Sequence, residues 1–419
     1  MYSSLAKAAR SIPVLQKRLP KSRKSCAVTD GSSLPTPHAS LSTDVLIIGA
    51  GPVGMTLALA LADSALRVCL IDRRPRGAWS GDPRALALAH GSRQLLERLN
   101  VWNAPAATAI REIHVSQRSG FGRTLIDAED YGMPALGYVM RYRDLADALA
   151  ARIKPEQLIT RCSIDEMETG NDNATVTVTH EGAARRITAK LVVHAEGTPG
   201  SDPDVKVHDY GQHAIVAEVR PTPAHKQRAW ERFTPDGPLA LLPLGADYSL
   251  VFTVPPDKSA ALLKLSDEDF LAALREQFGK RLNFTASGPR ASFPLALRVR
   301  QQITGQRQVW IGNCAQTLHP VSGQGFNLGL RDAWELATAL LDHGAGDPGV
   351  PTALAAYARG RRIDRRGSMA FTDSIVRLFS NDIPPLRFAR GLGLLALDLY
   401  PPLRHFVARR MIWGARAWP

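Results

Sequence analysis

Residues 44–72 read DVLIIGAGPVGMTLALALADSALRVCLID and carry the strongest structural signal in the sequence. The continuous apolar run at 45–48 is typical of a parallel strand that is buried on both faces. A glycine-rich turn and a helical pattern at 55–62 follow it, and a second buried strand runs over 67–72. Strand, turn, helix and strand together have the size of one βαβ unit. We therefore predict a Rossmann-like α/β fold that begins at residue 44.

Three glycines, Gly49, Gly51 and Gly54, form a GxGxxG turn between the first strand and the helix. Such a turn needs glycine for the tight bend, for close approach of the backbone to a pyrophosphate, and for packing of helix on strand. The helix that follows presents backbone N–H groups and a partial positive charge to phosphates. Asp72 ends the second strand, where a carboxylate can accept the ribose hydroxyls. The pattern predicts a bound dinucleotide and fits FAD and NAD equally well.

Two further motifs lie much later in the chain. Glu196-Gly197 follows a strand pattern at 191–195, and it has little weight alone because such pairs are common in turns. Residues 309–332 read VWIGNCAQTLHPVSGQGFNLGLRD, in which a strand leads to Gly312 and Asn313, and further glycines precede or open a helix. The positive end of that helix can stabilise the negative charge of a reduced flavin ring. Asn313 can hydrogen-bond a ribityl hydroxyl.

The charge of the chain is concentrated at its two ends. The net charge is +13, with basic residues but no acid over residues 1–29, and six arginines against Asp398 over residues 384–419. Such ends suit an anionic partner, and without a nucleic-acid motif a membrane surface is the better interpretation. The alternative is a well-hydrated soluble surface. No apolar run reaches the roughly 18 residues that a spanning helix needs.

Residues 1–43 are rich in Ser, Pro and Lys/Arg, and we expect them to lie outside the core. Their composition resembles an organelle transit peptide, and a bacterial extension or an upstream start codon explains it equally well. The cysteines at 26, 69, 162 and 314 are scattered, without a CxxC pair or any other metal-ligand spacing. We expect a reducing compartment and no metal site.

The three motifs together resemble those of the flavoprotein aromatic hydroxylases of the para-hydroxybenzoate hydroxylase type. That family carries, in order, a GxGxxG turn with a strand-end acid, an Asp-Gly pair, and a Gly-Asp pair followed by a His-Pro glycine loop. The corresponding positions here are 49–72, 196–197 and 312–325. The resemblance covers residues 44–419, and it implies that the chain binds FAD and that NAD(P)H reduces this FAD.

Within that family the chain most resembles the ubiquinone-biosynthesis hydroxylases of the 2-polyprenyl-6-methoxyphenol hydroxylase branch. Many relatives carry Asp-Ala-Ala-His where this chain has Asn313-Cys314-Ala315-Gln316, and that difference is typical of the branch. Glu196 departs from the general pattern by replacing an aspartate with a side chain one methylene longer. The strings that carry the resemblance are GNCAQTLHPVSGQGFNLGLRD at 312–332, DYGQHAIVAEV at 209–219, ERFTPDGPLALLPL at 231–244, FPLAL at 293–297 and TDSIVRLFSND at 372–382.

The resemblance and the apolar patterns together predict an α/β architecture: an FAD-binding dinucleotide (Rossmann-like) fold that a mostly antiparallel β-sheet substrate domain interrupts, with a helical C-terminal region. Alternating patterns at 174–179, 187–195, 213–219 and 248–254 indicate the antiparallel layer. Ser266 and Asp269 form a capping box at the start of a helix within it. The expected segments are a basic, flexible extension at 1–43, an FAD-binding domain at 44–210 and 299–345, a substrate domain at 211–298 and the helical region at 346–419.

The resemblance also implies roles by position. His319 is the candidate catalytic residue, as a base or hydrogen-bond partner, or it only shapes the loop before Pro320. Pro320 and Gly323 complete the predicted reaction centre. Arg84 and Arg143 match arginines near the pyrophosphate, or they are surface arginines. The predicted cofactor-binding residues are Gly49, Gly51, Gly54, Asp72, Arg84, Arg143, Glu196, Gly197, Gly312, Asn313, Gly323, Gln324, Gly325 and Asn327.

The implied reaction uses NAD(P)H, FAD and O₂ to insert one oxygen atom into a polyprenylated methoxyphenol ring. A polyprenyl tail favours contact with a membrane or with other ubiquinone-biosynthesis proteins, and residues 386–413 have the composition of an interfacial helix or of a core-packing helix with a basic outer face. We expect a bacterial cytoplasmic protein at the inner membrane, or one at the matrix face of the mitochondrial inner membrane. The alternatives are a hydroxylase of another ring position or phenol, a non-catalytic flavoprotein subunit, and an NAD-dependent dehydrogenase, which the 313–332 loop argues against.

Overall fold

The computed structural model describes residues 41–414 except 119, 345 and 382, and it leaves the side chains of Lys280 and Ser322 undescribed. The expected N-terminal extension therefore lies almost wholly outside the described residues. The strands are β1 (Leu41–Ile48), β2 (Val68–Asp72), β3 (Ala85–Ala89), β4 (Thr108–Ile110), β5 (Glu112–Gln117), β6 (Arg123–Asp127), β7 (Gly137–Arg141), β8 (Leu158–Thr160), β9 (Cys162–Thr169), β10 (Ala174–His180), β11 (Ala183–His194), β12 (Val205–Thr222), β13 (Arg228–Thr234), β14 (Gly237–Leu244), β15 (Asp247–Val254), β16 (Asn283–Ser287), β17 (Ala291–Arg300), β18 (Thr304–Gly305), β19 (Gln308–Trp310) and β20 (Gln316–Thr317). The helices are α1 (Pro52–Ala60), α2 (His90–Arg98), α3 (Tyr142–Ala150), α4 (Pro256–Lys264), α5 (Asp267–Phe278), α6 (Gln324–Asp342), α7 (Pro351–Phe379), α8 (Pro384–Leu399) and α9 (Pro401–Trp413).

The first sheet has the parallel core that residues 44–72 predict. Its strand order is β8–β2–β1–β11–β19–β18, and β1 lies parallel to both β2 and β11. Val45 and Ile47 pack into the core that includes α1, α3 and α6, whereas Leu46 and Ile48 pack against β9 and β10. The apolar run is continuous because both faces of β1 are covered. β1 begins at Leu41, three residues before the expected boundary.

Strands β10 and β11 show the alternation that we associated with the antiparallel layer, yet they join this first sheet, within the expected FAD-binding segment 44–210. β10 pairs with β11 and β9, and β11 pairs with β1, so the alternating patterns at 174–179 and 187–195 extend the dinucleotide sheet. Alternation reports that one face of a strand is covered more than the other, and it carries no information on which sheet the strand joins.

The second sheet is the mostly antiparallel layer. Its order is β6–β5–β13–β14–β15–β12–β17–β20, with β16 on β12, and the β5–β13 pair is its parallel exception. Helix α5 covers one face, and its Ser266 cap accepts a hydrogen bond from the backbone N–H of Asp269 at 3.1 Å, as the capping box predicts. The sheet exceeds the expected segment 211–298, because β5, β6 and β20 come from distant parts of the chain and β12 crosses the 210/211 boundary. A third and smaller sheet has the strand order β3–β7–β4.

The described part of the C-terminal region is helical, as expected. Both α8 and α9 begin at a pair of prolines, whose missing N–H groups cost nothing in the first turn of a helix. Helix α8 packs on β6 and β5, and α9 packs on α2 and β3. Within the part of the chain that the structure describes, no helix is both long enough and apolar enough to cross a membrane.

Candidate functional site

The three glycine motifs meet at the carboxyl edge of the parallel sheet. Gly49 has a φ of +105°, and a Cβ atom there would lie 2.5 Å from the carbonyl oxygen of Ala195, at the end of β11. On α6, a Cβ atom at Gly329 would lie 3.0 Å from Val53 Cγ2 and 3.3 Å from Gly312 Cα. Backbones from all three motifs therefore approach one another more closely than larger residues allow, and they form a single site.

The first motif leaves room for a phosphate group. Gly51 is the N-cap of α1, and a Cβ atom there would meet only the Tyr142 hydroxyl, at 3.7 Å. At Gly54 a Cβ atom would lie 2.0 Å from the carbonyl oxygen of Gly49, so this glycine serves the packing of α1 on β1. The open space at Gly51 lies at the positive end of α1, and the residues present fit a pyrophosphate there.

Asp72 supports the glycine turn directly. Its Oδ2 atom accepts a hydrogen bond from the backbone N–H of Ala50 at 2.9 Å, and its Oδ1 atom accepts one from the backbone N–H of Arg74 at 2.8 Å. This carboxylate therefore fixes the turn at the end of β2, the place where the sequence predicted a ribose contact.

Arg84 is connected to the phosphate turn by Tyr142, a residue that sequence reasoning missed. Its guanidinium group binds Asp82 at 2.5 Å and lies 4.9 Å from the centroid of the Tyr142 ring. Since the Tyr142 hydroxyl borders Gly51, Tyr142 connects Arg84 to the turn. In the sequence, the only indication of this role is that Tyr142 is the first residue of α3.

Arg143 differs from Arg84 in its surroundings. Its side chain is half-exposed, and its Nε atom lies 3.7 Å from Asp144 on the same helix. Among the described contacts none joins Arg143 to the glycine turn. The structure thus brings one of the two predicted arginines to the site and gives the other a surface ion pair.

The second and third motifs are tied together by side chains. The Cys314 thiol donates a hydrogen bond to the carbonyl oxygen of Gly197 at 3.0 Å, and the Asn313 amide donates one to the Thr198 hydroxyl at 3.3 Å. These contacts hold the loop after β11 against the loop after β19. Glu196 remains half-exposed beside them.

Asn327 holds the cofactor loop in place. Its Oδ1 atom accepts hydrogen bonds from the backbone N–H of Ala89 and the hydroxyl of Ser92, at 2.8 and 2.7 Å. Its Nδ2 group donates to the carbonyl oxygens of Ala87 and Gly323, both at 2.8 Å. Because these bonds use every donor and acceptor of the amide, Asn327 fastens α6 to β3. Its side chain thus has a positioning role within the protein, and its predicted contact with the cofactor stays a prediction.

Gln324 has a similar protein contact. Its amide donates a hydrogen bond to the carbonyl oxygen of Met411 at 3.1 Å, which joins the start of α6 to α9. A narrow apolar cavity of about 60 Å³ lies at this junction, and its lining includes Ala87, Ile126 and Ile412. The C-terminal helix therefore borders the loop that the sequence assigned to the flavin.

His319 is buried, and its imidazole holds one proton in a defined position. Its Nδ1 atom accepts a hydrogen bond from the backbone N–H of Val321 at 3.1 Å, so the proton of the neutral ring lies on Nε2. The Nε2 atom is buried without a partner among the described residues. Burial lowers the pKa of His319 to about 4. At neutral pH this ring is a hydrogen-bond donor and a weak base, and it stacks edge-on against Tyr210.

The loop that follows His319 has little freedom. Pro320 is exposed, and its carbonyl oxygen accepts a hydrogen bond from the N–H of Gly323 at 3.0 Å. Gly323 has a φ of +61°, and a Cβ atom there would lie 2.8 Å from the Cβ of Ala87. At Gly325 a Cβ atom would meet Leu318 at an ordinary 3.8 Å. Gly323 is thus the position of this turn that requires glycine.

A buried ion network underneath the loop was also missed by sequence reasoning. Arg361 on α7 is fully buried, with its Nε atom 2.7 Å from Asp332 and its Nη1 atom 2.8 Å from Asp364. Arg331 binds Asp364 at 2.7 Å. Burial alone would raise the pKa of Asp364, but Arg331 and Arg361 outweigh it and lower that pKa to about 2. The sequence around Arg361, GRRIDRR at 360–366, is strongly charged, and such a run is typical of an exposed helix face rather than of a buried network.

Residues 42–370 match the model of a protein family described as an FAD binding domain. The chain belongs to this FAD-binding family. It is 34% identical over 401 residues to the ubiquinone hydroxylase UbiL of Rhodospirillum rubrum, with 92% of each chain covered. It is 29% identical over 371 residues to the 3-demethoxyubiquinol 3-hydroxylase of Escherichia coli, covering 85% of this chain and 95% of that one.

Solved structures show the same fold at low identity. The p-nitrophenol 4-monooxygenase PnpA of Pseudomonas putida superposes with a TM-score of 0.71 at 16% identity, over 90% of this chain and all of that one. PqsL of Pseudomonas aeruginosa gives 0.69 at 19% identity, over 84% and all. The family match confirms the resemblance to FAD monooxygenases, and it settles the choice of cofactor that GxGxxG left open in favour of FAD.

Proposed function

We propose that this protein is an FAD-dependent monooxygenase of ubiquinone biosynthesis, which uses NAD(P)H and O₂ to hydroxylate a polyprenylated methoxyphenol ring. The observation that carries this proposal is the similarity to UbiL over 92% of both chains, together with the convergence of the three glycine motifs. The finer assignment to a methoxyphenol substrate rests on the strings at 209–219, 231–244 and 312–332.

The residues of this chain bind and orient the reactants. FAD, when bound, supplies the electron transfer and the activation of O₂. The open space at Gly51 and the positive end of α1 would hold the pyrophosphate, and the glycine loop at the start of α6 would bind the ring. His319 offers its Nε2 proton as a donor at that loop.

The test uses the purified holoenzyme. We expect a yellow protein that consumes NAD(P)H and O₂ when a polyprenylated phenol is present, and whose product is heavier by one oxygen atom. A non-catalytic flavoprotein subunit would be yellow but would not turn over. The quinone intermediate that accumulates when the gene is deleted identifies the ring carbon that is hydroxylated. If the substrate is an unrelated phenol, the deletion should leave ubiquinone synthesis unchanged.

The polyprenyl tail requires a route from the lipid phase, and α8 with α9 supports a peripheral membrane contact. The apolar side chains on their outer surface, which we call the α8–α9 ridge, are strongly exposed, with Leu399 at 71% and Phe388 at 60%. Amphipathic helices with such faces lie in the plane of a membrane interface. The ridge consists of Phe388, Leu392, Leu395, Leu399, Tyr400, Leu403 and Phe406.

The apolar side chains of the ridge, rather than the C-terminal arginines that the charge pattern favoured, would contact the membrane. Arg404 has a side chain only 16% exposed and binds Asp130 at 3.3 Å, and the Arg410 guanidinium lies 3.9 Å from the Phe406 ring centroid. Apolar insertion of the ridge therefore contributes more than charge, at about 1.5–3 kcal/mol for each side chain fully removed from water. With such a contact, the protein would lie at the cytoplasmic face of a bacterial inner membrane, or at the matrix face of the mitochondrial inner membrane.

Co-sedimentation with anionic liposomes tests this contact. Changing Leu392, Leu395 and Leu399 to Ser together should strongly reduce the bound fraction. The matched control changes Ile363 and Val207 to Ser, since these are also exposed apolar residues but lie outside the ridge. Equal sedimentation of the ridge variant and the wild type would show that the ridge does not dock, and would favour a contact with another ubiquinone-biosynthesis protein.

A further inference from the structure

One row of side chains crosses the second sheet on the face opposite to α5. Strand pairing places Val115, Glu231, Ala240, Val251 and Val216 side by side on β5, β13, β14, β15 and β12. All of them are half-buried. The alternate residues on these strands point to the other face and form the closed core beneath α5. The row is therefore a partly open, apolar surface with a single carboxyl group in it.

The neighbours of Glu231 on β13 show what this surface faces. Ala229 and Phe233 lie two residues away on either side and so point the same way. Ala229 packs with Ile110 and Val139, on β4 and β7 of the smallest sheet. Phe233 packs with Val321, in the glycine loop that follows His319. Glu231 thus lies on β13 between a residue that packs on the smallest sheet and one that packs on the glycine loop.

Within the described part of the chain, the carboxyl group of Glu231 has no hydrogen-bond partner at its buried oxygen. Its Oε1 atom is buried and makes no hydrogen bond with any described residue. Burial raises the pKa of Glu231 to about 8. A buried polar atom without a hydrogen bond is costly, so this carboxyl group calls for a partner that the described residues do not supply. The sheet thus positions this group among the apolar side chains of Val115, Ala240 and Val251.

We propose that Glu231 binds the phenolic hydroxyl group of the substrate and thereby sets which ring carbon faces the flavin. This inference rests on the proposed function and names a substrate contact for it. The substrate O–H donates to the Glu231 carboxyl group, while the side chains of Val115, Ala240 and Val251 contact the ring. A site built to hydrogen-bond a hydroxyl discriminates strongly against an analogue that lacks the proton.

The experiment compares a short-chain methoxyphenol with the same ring carrying a methyl ether in place of the hydroxyl. Both are titrated into the FAD-loaded enzyme, and binding is followed by the change in flavin absorbance. We expect the wild type to bind the phenol at least about tenfold more tightly, the discrimination that one good hydrogen bond gives. Glu231→Leu should bring the ratio close to one. Glu231→Gln keeps the shape of the side chain, and it should give an intermediate ratio and an altered distribution of hydroxylation positions.

The matched control is Asp236→Asn, which removes a carboxylate from the same hairpin. Asp236 binds Lys258 at 2.8 Å and lies away from the row, so its variant should keep the wild-type ratio. An unchanged ratio and product in both Glu231 variants, with FAD content intact, would overturn the role of Glu231 and leave the proposed function standing. A wild type that binds neither compound and hydroxylates no phenol would overturn both. If Glu231→Leu fails to fold, the Gln variant alone decides.

Discussion

Asp332 accepts a hydrogen bond from the backbone N–H of Gly312 at 3.0 Å, and so joins the two ends of the 312–332 motif. The same Oδ2 atom accepts a second hydrogen bond, from the Gln316 amide at 2.6 Å. The other carboxylate oxygen binds the buried Arg361. One carboxylate therefore fixes both the start of the cofactor loop and its attachment to α7.

Asp332→Asn should destabilise the protein by about 3 kcal/mol, because removing one partner of a buried ion network leaves a charge poorly compensated. An amide also presents an N–H group to one of the donors that Asp332 now accepts from. The measurement is urea unfolding of the wild type and the variant. The control is Asp247→Asn, whose partner Arg220 is half-exposed, and which should cost under about 1 kcal/mol. Similar values for the two variants would contradict a central role for Asp332.

Gly51→Val should give a folded protein without FAD. The protein itself has space for the side chain, since only the Tyr142 hydroxyl lies near, but that space is the proposed pyrophosphate site. The measurement is flavin absorbance per mole of purified protein, together with circular dichroism. Gly81→Val is the control, because a Cβ atom at Gly81 also meets open space and should leave the flavin content unchanged. Full flavin content in Gly51→Val would place the pyrophosphate elsewhere.

Gly323→Ala should uncouple the reaction, so that NAD(P)H oxidation yields hydrogen peroxide rather than hydroxylated product. The new Cβ atom would lie 2.8 Å from that of Ala87, which displaces the turn next to the predicted reaction centre. Adding Ala87→Gly removes the clash and should recover part of the coupling, while the strain of the positive φ remains. The measurement is product formed per NAD(P)H consumed. Unchanged coupling in Gly323→Ala would remove this turn from the reaction centre.

His319 should make stability depend on pH in the acid range. Burial lowers its pKa to about 4, from an ordinary value near 6.5, so the folded state holds the neutral ring while the unfolded chain takes up a proton. The stabilisation is complete above about pH 6.5 and is lost as the pH falls toward about 4, by roughly 1.4 kcal/mol per pH unit at most.

The variant His319→Gln does not titrate there, so its free energy of unfolding should fall less between pH 6.5 and 5 than that of the wild type. His114, whose pKa burial also lowers to about 4, contributes equally to both proteins and cancels. Parallel stability curves would contradict the assignment. Because the ring is a weak base at neutral pH, we expect the rate of hydroxylation in this variant to fall by no more than about a hundredfold.

Much of the fold follows from local patterns. The βαβ unit at 44–72, the helix after Ser266 and the breaks at the proline pairs were predictable, because burial on both faces, capping and missing N–H groups act on neighbours in the chain. The composition of the second sheet was not. Its parallel strand β5 pairs with β13 more than 100 residues later, and no pattern within β5 carries that partner.

By itself the sequence determined the family, the cofactor class and the three glycine motifs, since a backbone that approaches another backbone or a phosphate accepts only glycine and so leaves a visible spacing. Only the tertiary structure decided what the polar residues among them do. It assigned Asn327 to the attachment of β3, paired Arg361 with Asp332 inside the protein, and left Glu231 on an apolar surface with a buried oxygen that no described residue bonds. These roles depend on distances between residues far apart in the chain, and on which face of a helix or strand is covered, and neither is encoded in the local spacing of residues.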